Sequence, residues 1–253
     1  MVSSFRFWAV IPAAGNSRRM GASTLPKQYL SLAGRSVLEW SLAPLLQRPE
    51  CAGVVVALAS GDRHWHTLAA AQDRRIHTVM GGSERADSVR QGLRALESEL
   101  GDEDWVLVHD AARPCLQADE LTSLLSVMQD EAVGGLLAVA LVDTLKRADE
   151  SGRVAQTVNR AGLWRALTPQ MFRYGILNNA LAEAQRRGVT VTDEAQAVEL
   201  LGLRPKLVPG SADNIKITVP GDLQRAQHIL ATRQEVTGGT ETGGSIEPRD
   251  GIQ

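Results

Sequence analysis

Cysteine is nearly absent: Cys51 and Cys115 are the only two in 253 residues. They are too few for a disulfide framework or a zinc-ligand set, and they share no C-x-x-C spacing. Long apolar runs are missing as well, which argues against a membrane span or a signal peptide. Charge of one sign is not in excess. With a formal net charge of -2, no bulk field draws nucleic acid or an anionic membrane, so neither is expected as a partner. Aromatic residues make up only 4% of the chain. The five tryptophans are assigned to core or interface rather than to base-stacking platforms, with Trp164, between Arg160 and Thr168, left open. What remains is a protein suited to a reducing cytoplasm, in which any attraction for an anion must come from local clusters of charge.

What is present is a core-forming chain, 43% hydrophobic, long enough for one large α/β domain or two small ones. Apolar runs at residues 7–12, 53–59, 76–80, 105–109 and 136–142 read as strands buried on both faces. Between them, Leu38, Leu42, Leu45 and Leu46, and then Val89, Leu93, Leu96 and Leu100, fall on single helical faces. Strand, helix, strand in repetition predicts a three-layer α/β fold with a mostly parallel sheet. Residues 143–161 break the pattern. Ser151-Gly152 separates two short polar, β-capable segments there, which predicts a projecting β-hairpin arm with little core of its own. Helices are then expected at 172–187 and 193–201, a strand pair at 203–209 and 214–219, and a last helix at 220–233 opening on a proline. Residues 234–253 are glycine-rich and acidic and are expected to be a disordered tail.

In a parallel sheet, ligands gather beyond the carboxyl ends of the strands, so those loops are where chemistry is sought. After the first strand, Ala13, Ala14 and Gly15 leave backbone N–H groups open to an anion, while Arg18, Arg19 and Lys27 supply charged donors. Two familiar phosphate loops do not fit. Gly15 and Gly21 lack the spacing and the Lys-hydroxyl pair of G-x-x-x-x-G-K-[ST], and a dinucleotide fingerprint fails at Ser17. After the third strand, Gly81 and Gly82 open the backbone to a base ahead of a helix carrying Arg85 and Ser88, with Ser83 as a candidate cap. After the fourth, Asp110 at the end of a buried strand requires a metal, a sugar hydroxyl or a cation, and Arg113 stands three residues on. His64 and His66 do not face one another at i and i+2, so they are not read as metal ligands. His109 and Asp110, adjacent on a strand, point to opposite faces and form no catalytic dyad. Thr192-Asp193-Glu194 reads as a helix cap.

Eight stretches occur in a telling order: V-I-P-A-A-G-x-x-x-R-M at 10–20, P-K-Q-Y at 26–29, G-G-x-x-R-x-x-S-V at 81–89, V-H-D-A-A-R-P at 108–114, D-T-x-K at 143–146, T-P-Q at 168–170, T-D-E-A at 192–195 and D-N-I-K-x-T at 213–218. With them the chain closely resembles the 2-C-methyl-D-erythritol 4-phosphate cytidylyltransferase family over roughly residues 7 to 232. The resemblance implies a Rossmann-like nucleotidyltransferase domain over 1–233, with 143–161 as a dimerisation arm that interlocks two subunits. It implies transfer of CMP from CTP to methylerythritol 4-phosphate with loss of pyrophosphate. Arg19, Lys27 and Lys216 would be catalytic. Ala13, Ala14, Gly15, Gly81, Gly82, Arg85, Ser88, Asp110 and Ala111 would hold the nucleotide. Asp110, Arg113, Thr144, Arg160, Thr168 and Lys216 would hold the acceptor, with Thr144 and Arg160 reaching the partner's site. Mg2+ would be carried mainly by the CTP phosphates, with no protein metal ligand expected. A ribitol 5-phosphate cytidylyltransferase is the nearest rival, and a nucleotide-binding module without turnover is the rival from another class. Ser17, where many members have glycine, is a departure that bears on the loop's conformation.

Overall fold

In a computed structural model, residues 5–15 and 25–238 are described. Eleven strands and six α-helices follow one another as β1 (Phe7–Ala13), β2 (Ser31–Leu32), β3 (Arg35–Ser36), α1 (Val37–Leu46), β4 (Cys51–Leu58), β5 (Ile76–Met80), α2 (Arg85–Arg94), β6 (Trp105–Val108), α3 (Ala118–Met128), β7 (Gly134–Ala140), β8 (Leu145–Ala148), β9 (Val154–Val158), β10 (Trp164–Arg173), α4 (Tyr174–Arg186), α5 (Glu194–Glu199), β11 (Lys206–Pro209) and α6 (Pro220–Gly238) among the described residues. Seven strands form the central sheet in the order β11-β7-β10-β6-β1-β4-β5. All its ladders are parallel except those of β10, which runs antiparallel to both β6 and β7.

The period-two alternation of buried strands sorts side chains onto two faces. Ala9, Ile11, Val54, Val56 and Leu107 point to one side, where Leu38, Leu42 and Leu45 of α1 and Leu121, Leu124 and Leu125 of α3 cover them. Val10, Val55, Val106 and Val108 point to the other, against Val89 and Leu93 of α2, Leu177 and Leu181 of α4 and Val198 of α5. The result is the expected three-layer, Rossmann-like arrangement. A smaller cluster seats α6 through Ala226, Ile229 and Leu230 on Leu32 and Val37.

Several expectations change. Strand β10 was not anticipated, and α4 begins only after it, at Tyr174. Residues 214–219 are not a strand; only β11 of the expected pair forms, on the sheet edge beside β7. Strand β5 is the opposite edge and half exposed rather than buried on both faces. Helix α2 stops at Arg94, so Leu96 and Leu100 pack from irregular turns. The last helix runs to Gly238, beyond the expected end at 233. The hairpin arm forms as read: β8 and β9 pair antiparallel in a sheet of their own, and their side chains are almost all exposed. Its turn uses Gly152 at φ +79°, a conformation that costs glycine nothing.

Candidate active site

Beyond the carboxyl ends of β1 and β6 lies an open cleft of about 490 Å³, with its walls built from residues 12–15, the 3-10 turn Lys27–Tyr29, the 82–88 turn and helix start, 110–112, and Lys216 with Thr218. This volume suits a small-molecule ligand. The first wall is fixed by Gln28, whose buried side chain donates from Nε2 to the Ala13 carbonyl at 2.7 Å. The second depends on missing side chains. A Cβ at Gly81 would lie 2.7 Å from the Ala14 Cβ and 2.8 Å from the Ser88 Oγ, so only glycine lets the two turns close on one another. Ser88 then accepts from Gly82 N at 3.2 Å and donates to the Glu84 carbonyl at 3.3 Å. The expected cap at Ser83 is not formed. Glu84 is the N-cap of α2, without a side-chain capping bond, and Ser83 donates to Asp87 instead.

Charge converges on Asp110, which is 6% exposed. Its Oδ1 receives Arg85 Nε at 2.9 Å; its Oδ2 receives Lys216 Nζ at 2.8 Å and meets Arg113 Nε at 3.5 Å. Burial alone would raise this carboxyl, but the three cations outweigh it and hold it well below the usual carboxylate range. Arg85 turns its other two nitrogens to Glu194, at 2.6 and 3.0 Å. Burial opposes its charge, yet Glu194 and Asp110 raise its affinity for the proton. Three cations therefore face two carboxylates, and on the cleft wall Lys27 adds another cation that the exposed Glu84 offsets. A positive surplus remains around the buried Asp110, and it favours an anion in the cleft.

The segment carrying Lys216 is tied down by its backbone. Arg113 Nη1 donates to Asn214 O at 2.7 Å, Ile217 N to Ala112 O at 2.8 Å, and Lys27 Nζ to Ile217 O at 2.7 Å. Asn214, fully buried, donates from Nδ2 to Thr168 O at 2.9 Å. These bonds replace the strand ladder expected for 214–219.

Ala13, Ala14, Gly15, Lys27, Gly82, Arg85, Ser88, Asp110, Ala111 and Lys216 thus line one cleft. Gly81 and Arg113 stand directly behind it. Thr168 lies beneath: it is 4% exposed, accepts from Asp110 N at 3.0 Å and bonds His109 Nδ1 at 3.0 Å, so its hydroxyl is spent on the framework. Thr144 and Arg160 are exposed at the two ends of the arm and do not line the cleft of their own protomer. Arg19 and Ser17 lie outside the described residues. Trp164 lines a separate cavity of about 430 Å³ with Leu163, Leu203 and Leu207, and so does not stack in the cleft. Among the described residues no His, Cys, Asp or Glu grouping could hold a metal ion. Sequence reasoning missed the roles of Gln28, Asn214 and Glu194, although each sits inside a quoted motif; only the cap beside Glu194, in which Asp193 accepts from Gln196 N at 2.9 Å, was read.

The family model for IspD, 2-C-methyl-D-erythritol 4-phosphate cytidylyltransferase, matches residues 7–232. A protein of that name from Ectopseudomonas mendocina is 54% identical over 221 residues, 87% of this chain and 94% of its own. One from Pseudomonas putida is 56% identical over 219 residues, covering 86% and 93%. Among solved structures, a 4-diphosphocytidyl-2C-methyl-D-erythritol synthase superimposes with a TM-score of 0.77 at 37% identity, over 89% of this chain and 99% of that one. The Francisella tularensis 2-C-methyl-D-erythritol 4-phosphate cytidylyltransferase does so with a TM-score of 0.77 at 33% identity, over 88% and 99%.

Proposed function

This chain belongs to the 2-C-methyl-D-erythritol 4-phosphate cytidylyltransferase family, and from that premise we propose how its cleft carries out the reaction. The enzyme transfers CMP from CTP to 2-C-methyl-D-erythritol 4-phosphate, giving 4-diphosphocytidyl-2-C-methyl-D-erythritol and pyrophosphate. An oxygen of the acceptor phosphate attacks the α-phosphorus in line; the new P–O bond forms as the bond to the β-phosphate oxygen breaks, and the electron pair leaves with pyrophosphate. No proton has to be removed first. A phosphate monoester has a second pKa near 6 and is mostly dianionic at neutral pH, so a general base is unnecessary. The demand is to align two anions that repel and to stabilise a more negative phosphorus.

The observation that carries this reading is the positive surplus around Asp110. In our assignment Ala13, Ala14 and Gly15 wrap the triphosphate, with Lys27 and Arg19 on its oxygens. Gly81, Gly82, Ser88 and Arg85 face the base, and Asp110 with Ala111 faces the ribose. Lys216 and Arg113 attract the acceptor phosphate, with Thr168 fixing Asp110 from below. The chemistry a divalent ion supplies when bound is neutralisation of phosphate charge. The residues present do not form a cage for it: Asp110, the buried carboxylate of the cleft, is already engaged by three cations. Mg2+ would be held mainly by the CTP phosphates, with Lys27, Lys216 and Arg113 supplying the protein's share of the positive charge. We further propose that the arms of two protomers interlock as a homodimer and deliver Thr144 and Arg160 to the partner's acceptor site. The two buried free cysteines suit a reducing cytoplasm, where we place the enzyme.

The direct test is Mg2+-dependent pyrophosphate release from CTP with methylerythritol 4-phosphate, with ribitol 5-phosphate and without acceptor. Release with methylerythritol 4-phosphate alone is the expected result; a preference for ribitol 5-phosphate would overturn the acceptor assignment, and release with neither would revive the binding module.

A further inference from the structure

Glu194 is 1% exposed and is not part of the cleft wall. It is the first residue of α5, and both its oxygens are spent on Arg85, whose remaining nitrogen is spent on Asp110. The guanidinium plane is therefore clamped by two acids from two separate elements. Arg85 itself opens α2 directly after the Gly81-Gly82 turn and lines the cleft. Helix α5 is in turn anchored to the central sheet. Buried Gln170 of β10 accepts from Ala195 N at 2.9 Å and donates to Asp193 Oδ2 at 3.0 Å.

We propose that Glu194 is a positioning residue for nucleotide binding: through Arg85 it locks the first turn of α2 and the Oδ1 side of Asp110 in the geometry that receives CTP. The inference rests on the reading of the cleft as the CTP site. A helix cap does not explain Glu194, because the capping acid of α5 is Asp193. Without the Glu194 carboxylate, Arg85 keeps one acid, rotates about its Nε contact, and its freed nitrogens seek the nearest anion or water. Loss of this clamp beside the ligand is expected to cost CTP affinity about two- to thirtyfold.

The experiment uses the full-length protein, with CTP binding followed by isothermal titration calorimetry, steady-state pyrophosphate release, and thermal unfolding as the control for fold. Glu194→Gln keeps the shape but loses the charge; it should raise the CTP Kd and KM about tenfold while kcat changes less than about threefold. Glu194→Asp keeps the charge but shortens the reach, and should fall between wild type and Glu194→Gln. A lowered Tm with unchanged CTP Kd and KM would assign Glu194 to stability alone and overturn the proposal. Should Glu194→Gln not fold, Glu194→Asp decides in the same way: a raised CTP KM supports the proposal, an unchanged one overturns it. Wild-type protein that binds no CTP would overturn the reading of the cleft and this inference together, whereas wild-type binding with indifferent variants overturns the inference alone.

Discussion

Lys27 and Lys216 belong to the same cleft but are held differently, and that difference sets what each substitution does. Lys27 donates to a backbone carbonyl, that of Ile217, whereas Lys216 shares a buried carboxylate with two arginines. Removing either cation should lower kcat/KM by about 10²–10³, the scale of losing one preorganised donor to transition-state charge. Stopped-assay pyrophosphate release by folded Lys27→Ala and Lys216→Ala checks this, and near wild-type turnover would mean that the phosphates lie elsewhere. His109 is a residue-scale case of the opposite kind. It is fully buried, and because the Arg113 carbonyl can only accept, Nε2 carries the proton and Nδ1 accepts from the Thr168 hydroxyl. Burial pushes its pKa down from 6.5 to about 4, so the unfolded chain binds the proton first as pH falls. Stability is then full above about pH 6.5 and drains away toward pH 4, a loss of about 2 kcal/mol by pH 5 at 1.36 kcal/mol per unit. Urea unfolding at pH 7.5 and pH 5 should show it, and His109→Gln should flatten that part of the slope. Activity should not follow His109. Its acid limb belongs to the acceptor phosphate, at about pH 6, and should survive in His109→Gln.

At the scale of elements, the glycine turn after β5 is the most demanding feature. In Gly81→Ala the new methyl meets Ala14 and Ser88 at under 3 Å, so one of the two ligand-facing turns has to give. We expect the CTP KM to rise about tenfold with Tm lowered only slightly, measured by initial rates and thermal unfolding, since the strain sits between two surface turns rather than in the core. That turn was legible because two glycines ahead of a helical face have few other uses. The strand β10 was not. Its sequence carries Pro169 and charged or polar residues at both ends, and a proline argues against a central strand; here the β7 ladder shifts register between Ala166 and Gln170, around that proline. Residues 214–219 misled in the other direction. Apolar, β-branched Ile215, Ile217 and Val219 alternate there with polar residues, but the backbone groups of the segment are taken by Ala112, Arg113 and Lys27. The strand-end logic asked for a metal, a sugar hydroxyl or a cation at Asp110 and offered Arg113 as one candidate; the structure supplies cations, Arg113 among them. That logic had no way to see Arg85 and Lys216 arrive at the same carboxylate, because only the three-dimensional crossing of α2 and the 214–218 segment brings them there. Glu194, 109 residues from Arg85, was out of reach for the same reason.

At the scale of the molecule, the arm is the element that the single chain does not explain. A sheet of two strands with exposed side chains on both faces has no core, and in isolation such a hairpin is marginal in water. It carries Thr144 and Arg160, which we propose as acceptor residues yet which stand away from the cleft of their own protomer. A two-fold pair of chains with interlocked arms resolves both points at once, since an isologous contact gives each site the same donation from its partner. Arg160→Ala and Lys216→Ala should each be severely impaired alone. In a heterodimer of the two, one site inherits both defects, while the other combines an intact Lys216 with the partner's intact Arg160. Unfolding and refolding an equimolar mixture should therefore restore about a quarter of wild-type activity, because half the dimers are mixed and each mixed dimer has one intact site. Sedimentation would show the dimer but not the sharing of residues; restored pyrophosphate release shows both. If the refolded mixture stays as inactive as its parents while remaining dimeric, Arg160 serves its own protomer and the arm is only a clasp.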